Sequence, residues 1–327
     1  MLHYVNLGEN MRLQLGTIDH DTKRWLKSYM RHLKYKDVSK NTLDVYTRIL
    51  HQLLEFIEQQ ELAQMLQDMN KEFFLDFMEF SEEHSKNAHF SKKTKQLYVS
   101  VLKSFFVYIS DNNDEFYTFE NEFKITPNGV NKVKKIKYLT DEEVRTIIDY
   151  LDDMRLNRGT YYDFIYTLGI KLMLFGGLRI SEVLALKLSD ITVSNLTDKK
   201  GNRDIFEIHL GNTKSGEEQT ALIKIEDIEE ELNYFRDILD EESYIFKSYK
   251  KGKLIHRSNF YIGVKKIMSK AGINKKGLHI YRHTCAMQLY RKSKDILVTK
   301  EKLRHSDIKT TMIYAQAEKS DVANAMR

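Results

Sequence analysis

Apolar side chains recur at helical spacing through the first third of the chain. From Ser39 to Gln60, Leu43, Tyr46, Ile49, Leu50, Leu53, Phe56 and Ile57 fall on one face behind a serine placed to cap, which predicts a helix. Ser91 to Ser110 repeats the scheme with Leu97, Val101, Leu102, Phe105 and Tyr108. Asp19 to Leu33, carrying Trp25, Leu26, Tyr29 and Met30, and Phe73 to Phe80 add two more helices. The two longer helices also begin alike: Ser39-Lys40-Asn41-Thr42 with Tyr46 and Leu50 returns as Ser91-Lys92-Lys93-Thr94 with Tyr98 and Leu102. Two readings are open. Capped amphipathic helices resemble one another in general, or these are related helices whose first turns face one phosphate backbone, since helix N-termini favour anions and each cap has a lysine beside it.

The texture then changes. Asp111 to Phe123 is acidic and irregular, and Pro127-Asn128-Gly129 reads as a turn. A basic strip follows, Lys132-Val133-Lys134-Lys135-Ile136-Lys137, too short and mixed to pack a core. Thr140-Asp141-Glu142-Glu143 matches a capping box and opens a new helix. These signals divide the chain into a helical domain over 17–125, a basic linker over 126–137 and a second domain over 138–327.

The second domain is mixed. Thr160 to Phe175 reads as a buried helix, and Ser181 as the cap of a short helix through Leu186. Asp204 to Leu210 and Thr220 to Ile225 are β-prone runs flanking Gly211-Asn212-Thr213-Lys214-Ser215-Gly216, the pattern of a hairpin. Helices are expected again over Ile228 to Leu239, Ser258 to Ala271, His279 to Arg291 and Asp307 to Ala315. The fold class is therefore two-domain and mainly α: an all-α first domain, then an α+β domain with a small antiparallel sheet.

Composition narrows the class further. The chain has 327 residues, enough for two domains, and one proline, which suits a mostly helical fold. Hydrophobic residues make up 42% and charged residues 30%, as in an ordinary globular protein. The net charge of +5 permits an acidic partner without demanding one, so the placing of the basic residues matters more than their sum. A single cysteine, Cys285, excludes an internal disulfide framework and fits a reducing compartment; its apolar neighbours Ala286, Met287 and Leu289 place it in the core. With no apolar run long enough for a membrane span and no signal peptide in Met1 to Gly16, a cytoplasmic protein is expected.

Four segments of the second domain carry reactive groups. Gly176-Gly177-Leu178-Arg179-Ile180-Ser181-Glu182 puts Arg179 at a turn opening a helix. Lys214 stands at the hairpin tip. Leu278-His279-Ile280-Tyr281-Arg282-His283-Thr284 sets His279 and Arg282 three apart on one helical face. Leu303-Arg304-His305-Ser306-Asp307 precedes Thr310-Thr311-Met312-Ile313-Tyr314. His279 and His283 have zinc-like spacing, but the segment lacks a zincin's glutamate and holds an arginine between them, so no metal and no cofactor is expected.

This ordered set of Arg, Lys, His-x-x-Arg, His and Tyr resembles the tyrosine recombinase (phage integrase) family, on its Xer-like branch. The likeness covers the second domain and, more loosely, the first. It implies a core-binding, SAM-like helical domain joined to a catalytic domain, acting as a site-specific DNA recombinase. It also implies cleavage and rejoining of duplex DNA through a 3′-phosphotyrosyl bond, with a free 5′-hydroxyl and no need of ATP. Its implied partners are duplex DNA bearing an inverted-repeat site, a tetramer of the chain on paired sites, and an accessory protein in some relatives. Arg304 departs from the family, which usually has glycine there, and Tyr281 stands where leucine is common.

The chemistry of the residues agrees. Attack on a phosphodiester develops charge on its non-bridging oxygens, and guanidinium forks bind such oxygens in pairs, which suits Arg179 and Arg282. Tyr314 is the expected nucleophile, and with a free pKa of about 10 it needs help losing its proton, a part given to His279. His305 is expected to hydrogen-bond the phosphate and Lys214 to protonate the departing 5′-oxygen. Glu182 is expected to orient either the Arg179 fork or His283. Phosphate tethers are expected at Lys40, Lys92 and Lys93, in the linker at Lys134 and Lys135, and in the Lys247 to Lys253 strip at Lys250 and Lys251. Two alternatives stay open: a type IB topoisomerase with the same nucleophile, and a DNA-binding protein without catalysis.

Overall fold

The structure is a computed structural model that describes residues 18–59, 69–85, 89–113, 119, 136–197, 200–211 and 219–325. The chain divides into two compact units, Met1–Asn131 and Lys132–Arg327. Lys134, Lys135, Lys214 and the hairpin tip, as well as the Pro127 turn, lie outside the described residues.

The first unit is built from helices α1 (Ile18–Tyr35), α2 (Lys40–Gln59), α3 (Lys71–Glu83) and α4 (Lys92–Asn112). Its core is aromatic. Trp25 and Tyr29 of α1, Phe56 of α2, Phe74 and Phe77 of α3, and Phe105 and Phe106 of α4 are all buried. Phe74 meets Phe106 edge-on, 5.1 Å between centroids, the geometry that ring quadrupoles favour. The repeated Ser-Lys-x-Thr start makes the same cap twice. Ser39 Oγ accepts from the Thr42 amide at 3.4 Å, and Ser91 Oγ from the Thr94 amide at 3.1 Å. Lys40, Lys92 and Lys93 are exposed in those first turns.

In the second unit, the capping boxes of Thr140 with Glu143 and Thr160 with Asp163 open α5 (Asp141–Asn157) and α6 (Tyr161–Leu174). The apolar run of α6 is buried on nearly every side because the helix packs against α5, α8 (Ile225–Ile238), α9 (Arg257–Lys270) and α10 (His279–Ser293). Gly169 permits the α9 approach: a Cβ there would stand 2.5 Å from Cζ of Phe260. The sheet is antiparallel in the order β1 (Ile191–Val193), β2 (Ile205–Leu210), β3 (Gln219–Lys224). Ile208 pairs with Ile191 on one side and Ala221 on the other, and its alternate residues Phe206, Ile208 and Leu210 face the core.

Several elements differ from the sequence expectation. The short helix α7 spans Ile180–Leu184, with Arg179 and not Ser181 at its cap position. The Glu182 carboxylate accepts from the Arg179 amide at 2.7 Å, so the start is set from the third helical position, and Ser181 is exposed at the second. Helix α11 (Ile296–Leu303) was not expected; Asp295 caps it through the amides of Leu297 and Val298. The last helix, α12, runs Lys309–Ala325, starting later and ending ten residues beyond the expected Ala315. Its second half, rich in Ala with Gln, Glu and Lys, has helix propensity without an apolar face to announce it. Strand β1, three residues long, is too short to show alternation.

The fit at Gly169 makes a direct prediction. Gly169→Ala should destabilise the second unit by about 1–3 kcal/mol through overpacking against Phe260, despite alanine's better helix propensity. Chemical denaturation measures it, and an unchanged or raised midpoint would contradict the packing described.

Candidate active site

Two sharp turns and one helix assemble the site. The first turn carries Arg179 and owes its shape to Gly177, whose φ of +65° is left-handed. A Cβ there would also press on Leu303 at 3.2 Å and Cys285 at 3.3 Å. The second turn carries His305 and follows α11, with Arg304 left-handed at φ +54°. Between them lies Arg282 of α10, 4% exposed. One guanidinium nitrogen donates to the Gly177 carbonyl and the other to the Leu303 carbonyl. Arg282 therefore ties the two turns together, and its five N–H donors leave others for a ligand.

Glu182 organises the remaining cations. Its Oε1 accepts from Nη1 of Arg179 at 2.6 Å and its Oε2 from Nη2 of Arg304 at 2.9 Å. Of the two partners expected for Glu182, the structure places Arg179 on it and gives His283 to another residue. Burial alone would raise the Glu182 carboxyl, but Arg304 and Arg179 outweigh it and hold it below the ordinary carboxylate range. Burial, then the charges of Arg179 and Arg304, push Arg282 down to about 10, still far above neutrality, so it remains a cation. Three guanidiniums thus share one carboxylate, an excess of positive charge suited to an anion.

The final helix returns the phenol to this cluster. Tyr314, 1% exposed, packs with Ala286, Met287 and Leu303 in a small core of its own. Its Oη lies 2.9 Å from Nδ1 of His283. Burial pushes the phenol up to about 12, against the pull of Arg282. Burial, His279 and Arg282 press His283 down to about 4. Both are neutral at rest, and a phenol that donates to Nδ1 requires the ring hydrogen on Nε2. The sequence reading gave the proton-accepting part to His279. The imidazole that touches Tyr314 is instead His283, one turn further along the same face, with the two rings 6.3 Å apart. Partial desolvation and the charges of Arg257, Arg282 and Arg179 lower His279 below its ordinary value.

His305 is oriented by Thr311, whose Oγ1 lies 2.9 Å from its Nδ1, a partner that the sequence did not flag. Burial first, then Arg282 and Arg179, bring His305 to about 4. A cleft of about 920 Å³ is lined by Arg179, Glu182, Arg304 and Ser306, with Lys187, His209 and Tyr244 among its other lining residues. Lys250 and Lys251 are exposed on the turn following Ser248. Among the described residues no group of three His, Cys, Asp or Glu side chains is placed to hold a metal, and no helix is long and apolar enough to cross a membrane.

With this geometry in place, comparison with known proteins is informative. Residues 137–321 match the model of the phage integrase family. Over 90% of its length the chain is 26% identical to the tyrosine recombinase XerD of Rickettsia prowazekii (strain Madrid E), covering 92% of that protein. It is 28% identical to transposase A from transposon Tn554 of Staphylococcus aureus (strain Mu50 / ATCC 700699), with 91% of this chain and 90% of that one aligned. The fold is similar, with a TM-score of 0.73 and 22% identity, to that of the XerH site-specific recombinase in a post-cleavage complex with palindromic difH substrate. That likeness covers 93% of this chain and 84% of that one.

The two half-buried histidines, His283 and His305, make stability depend on pH. Both bind a proton more weakly when folded, at about 4, than an unfolded histidine does, at about 6.5. The unfolded chain therefore takes up more protons in this window, and stability should fall as pH drops from about 6.5 towards about 4. Melting temperature against pH measures it. His305→Asn should flatten the slope, and an equal slope in that variant would contradict the environment assigned to His305.

Proposed function

The chain belongs to the phage integrase family, and on that premise we propose that it is a site-specific recombinase that cuts and reseals duplex DNA through Tyr314. The observation that carries this reading is the bond between Tyr314 Oη and Nδ1 of His283, the residue next to Arg282.

In the proposed reaction, Arg179 and Arg282 hold the non-bridging oxygens of the scissile phosphate, with His305 as a further donor. Developing charge then meets fixed cations in a water-poor site, where such donors typically contribute about 3 kcal/mol each. The phenol passes its proton to His283 as its oxygen bonds to phosphorus. The bond from phosphorus to the 5′-oxygen breaks, and that oxygen leaves as a hydroxyl after taking a proton, the part assigned to Lys214. The product is a 3′-phosphotyrosyl ester. It keeps the ester bond count of the backbone, so a 5′-hydroxyl from a partner strand can attack it and release Tyr314 without ATP. His279, beside His283 and Arg282, belongs to the phosphate-facing edge of the site in this reading.

Exchange between two duplexes needs cuts on both strands of each, which calls for four copies of the chain on paired inverted-repeat sites. Lys40, Lys92 and Lys93 on the first unit, Lys134 and Lys135 in the linker, and Lys250 and Lys251 on the second are proposed as phosphate tethers. They would contribute affinity and salt dependence rather than sequence choice. Partner proteins beyond the chain itself, and the cytoplasm as its place of work, belong to the same proposal.

The test uses nicked duplexes cut from the DNA flanking the gene, denatured with SDS and resolved for protein-linked DNA. The wild-type chain should form a covalent adduct, with or without EDTA. Tyr314→Phe should form none while retarding the same DNA in a native gel. A wild-type level of adduct in Tyr314→Phe, or activity lost to EDTA and restored by a metal, would contradict the mechanism.

A further inference from the structure

Position 304 is a helix C-terminus in the left-handed region, where glycine is the residue at least cost. This chain keeps arginine there, and the side chain is not spent on solvent. It is 5% exposed, with Nη2 on Glu182 Oε2 at 2.9 Å and Nη1 on the Lys302 carbonyl at 3.1 Å. Its Nε is buried with no hydrogen-bond partner among the described residues. An unfavourable backbone combined with a buried charge asks for a return elsewhere in the molecule.

That return is found at Glu182. The carboxylate is the one anion among the guanidiniums described above, and Oε1 is already taken by Arg179. Oε2 accepts from the Arg179 amide at 2.7 Å and stands 4.0 Å from Nη1 of Arg282. Remove Arg304, and the guanidiniums left beside the carboxylate are that of Arg179, on Oε1, and that of Arg282, 4.0 Å from Oε2. The carboxylate would close on the latter, neutralise it and compete with the Gly177 carbonyl for the same nitrogen. With Arg304 present, Oε2 is shared with it at 2.9 Å and stays 4.0 Å from Arg282, so only part of the Arg282 charge is offset.

We infer that Arg304 is a positioning residue that keeps Glu182 from closing on Arg282 beyond its present 4.0 Å and so leaves part of the phosphate-binding charge of Arg282 for a ligand. The inference rests on the reading of Arg282 as a phosphate ligand, and it adds a residue to which that reading gives no part. Arg304 works through Glu182, without contact to the reacting atoms. A neutral side chain at 304 would weaken both the grip on a phosphate and the rate of cleavage, while leaving the lysine tethers untouched.

Three variants separate charge from packing. R304M keeps the apolar stem and the left-handed strain, R304G removes both, and R304K restores a cation. On nicked DNA that wild type converts to adduct, single-turnover cleavage should slow by about tenfold or more in R304M and R304G, a loss of about 1.4 kcal/mol in transition-state stabilisation. R304K should recover most of the rate, and native-gel affinity for DNA should change little in any of them. Wild-type rates in R304M or R304G, or an R304K as slow as R304M, would overturn the inference. A second arm needs no DNA: inorganic phosphate should raise the melting temperature of wild type and R304K more than that of R304M and R304G. Equal phosphate shifts in all four proteins would overturn it. Absence of any adduct with wild type, beside a normal phosphate shift, would count against the recombinase reading and not against this one.

Discussion

The site depends on one side chain serving as a tie between two turns. Arg282 comes from the first turn of α10, buried, and spends two of its donors on the carbonyls of Gly177 and Leu303. Those carbonyls end the two segments that deliver Arg179 and His305. Without this guanidinium the Gly177 carbonyl would keep only the longer bond from Arg304 Nη2 at 3.5 Å. Because the fork is rigid and planar, it fixes the separation of the two turns as well as satisfying them, which lysine would not do. Preorganisation for an anion and integrity of the fold therefore rest on the same group.

Burying that charge is costly, and the surroundings show how the cost is met. Glu182 offsets part of it from 4.0 Å while also pairing with Arg179 and Arg304, and the two carbonyls solvate the guanidinium in place of water. The same low-polarity setting acts in opposite directions on the proton donor and acceptor. It raises the Tyr314 phenol to about 12 and lowers His283 to about 4, so the resting pair stays neutral. In the proposed reaction an incoming phosphate would change that balance, because its negative charge favours a protonated His283.

Much of this was legible in the sequence because the reactive groups sit where local patterns are strong. Gly177 beside Arg179, the three-residue step from His279 to Arg282, and the long capped helices of the first unit all follow from short-range rules. What escaped was long-range. Nothing near His283 announces its contact with Tyr314, thirty-one residues away. The caps tell a similar story. Ser181 has the composition of an N-cap, yet Glu182 reached back to the Arg179 amide and moved the start of α7. Helix α11 was hidden because its exposed Leu297 and Val298 blur the apolar face. Arg304 stood out only as an oddity until its left-handed backbone and its bond to Glu182 gave it a role.

The claim on which everything turns is that Tyr314, brought to an arginine-held phosphate, becomes covalently joined to DNA. Its most direct measurement is to digest a trapped protein–DNA adduct with trypsin and nuclease and locate the nucleotide by mass spectrometry. The account predicts the added mass on the peptide Thr310–Lys319, at Tyr314. A nucleotide found on any other side chain would contradict it.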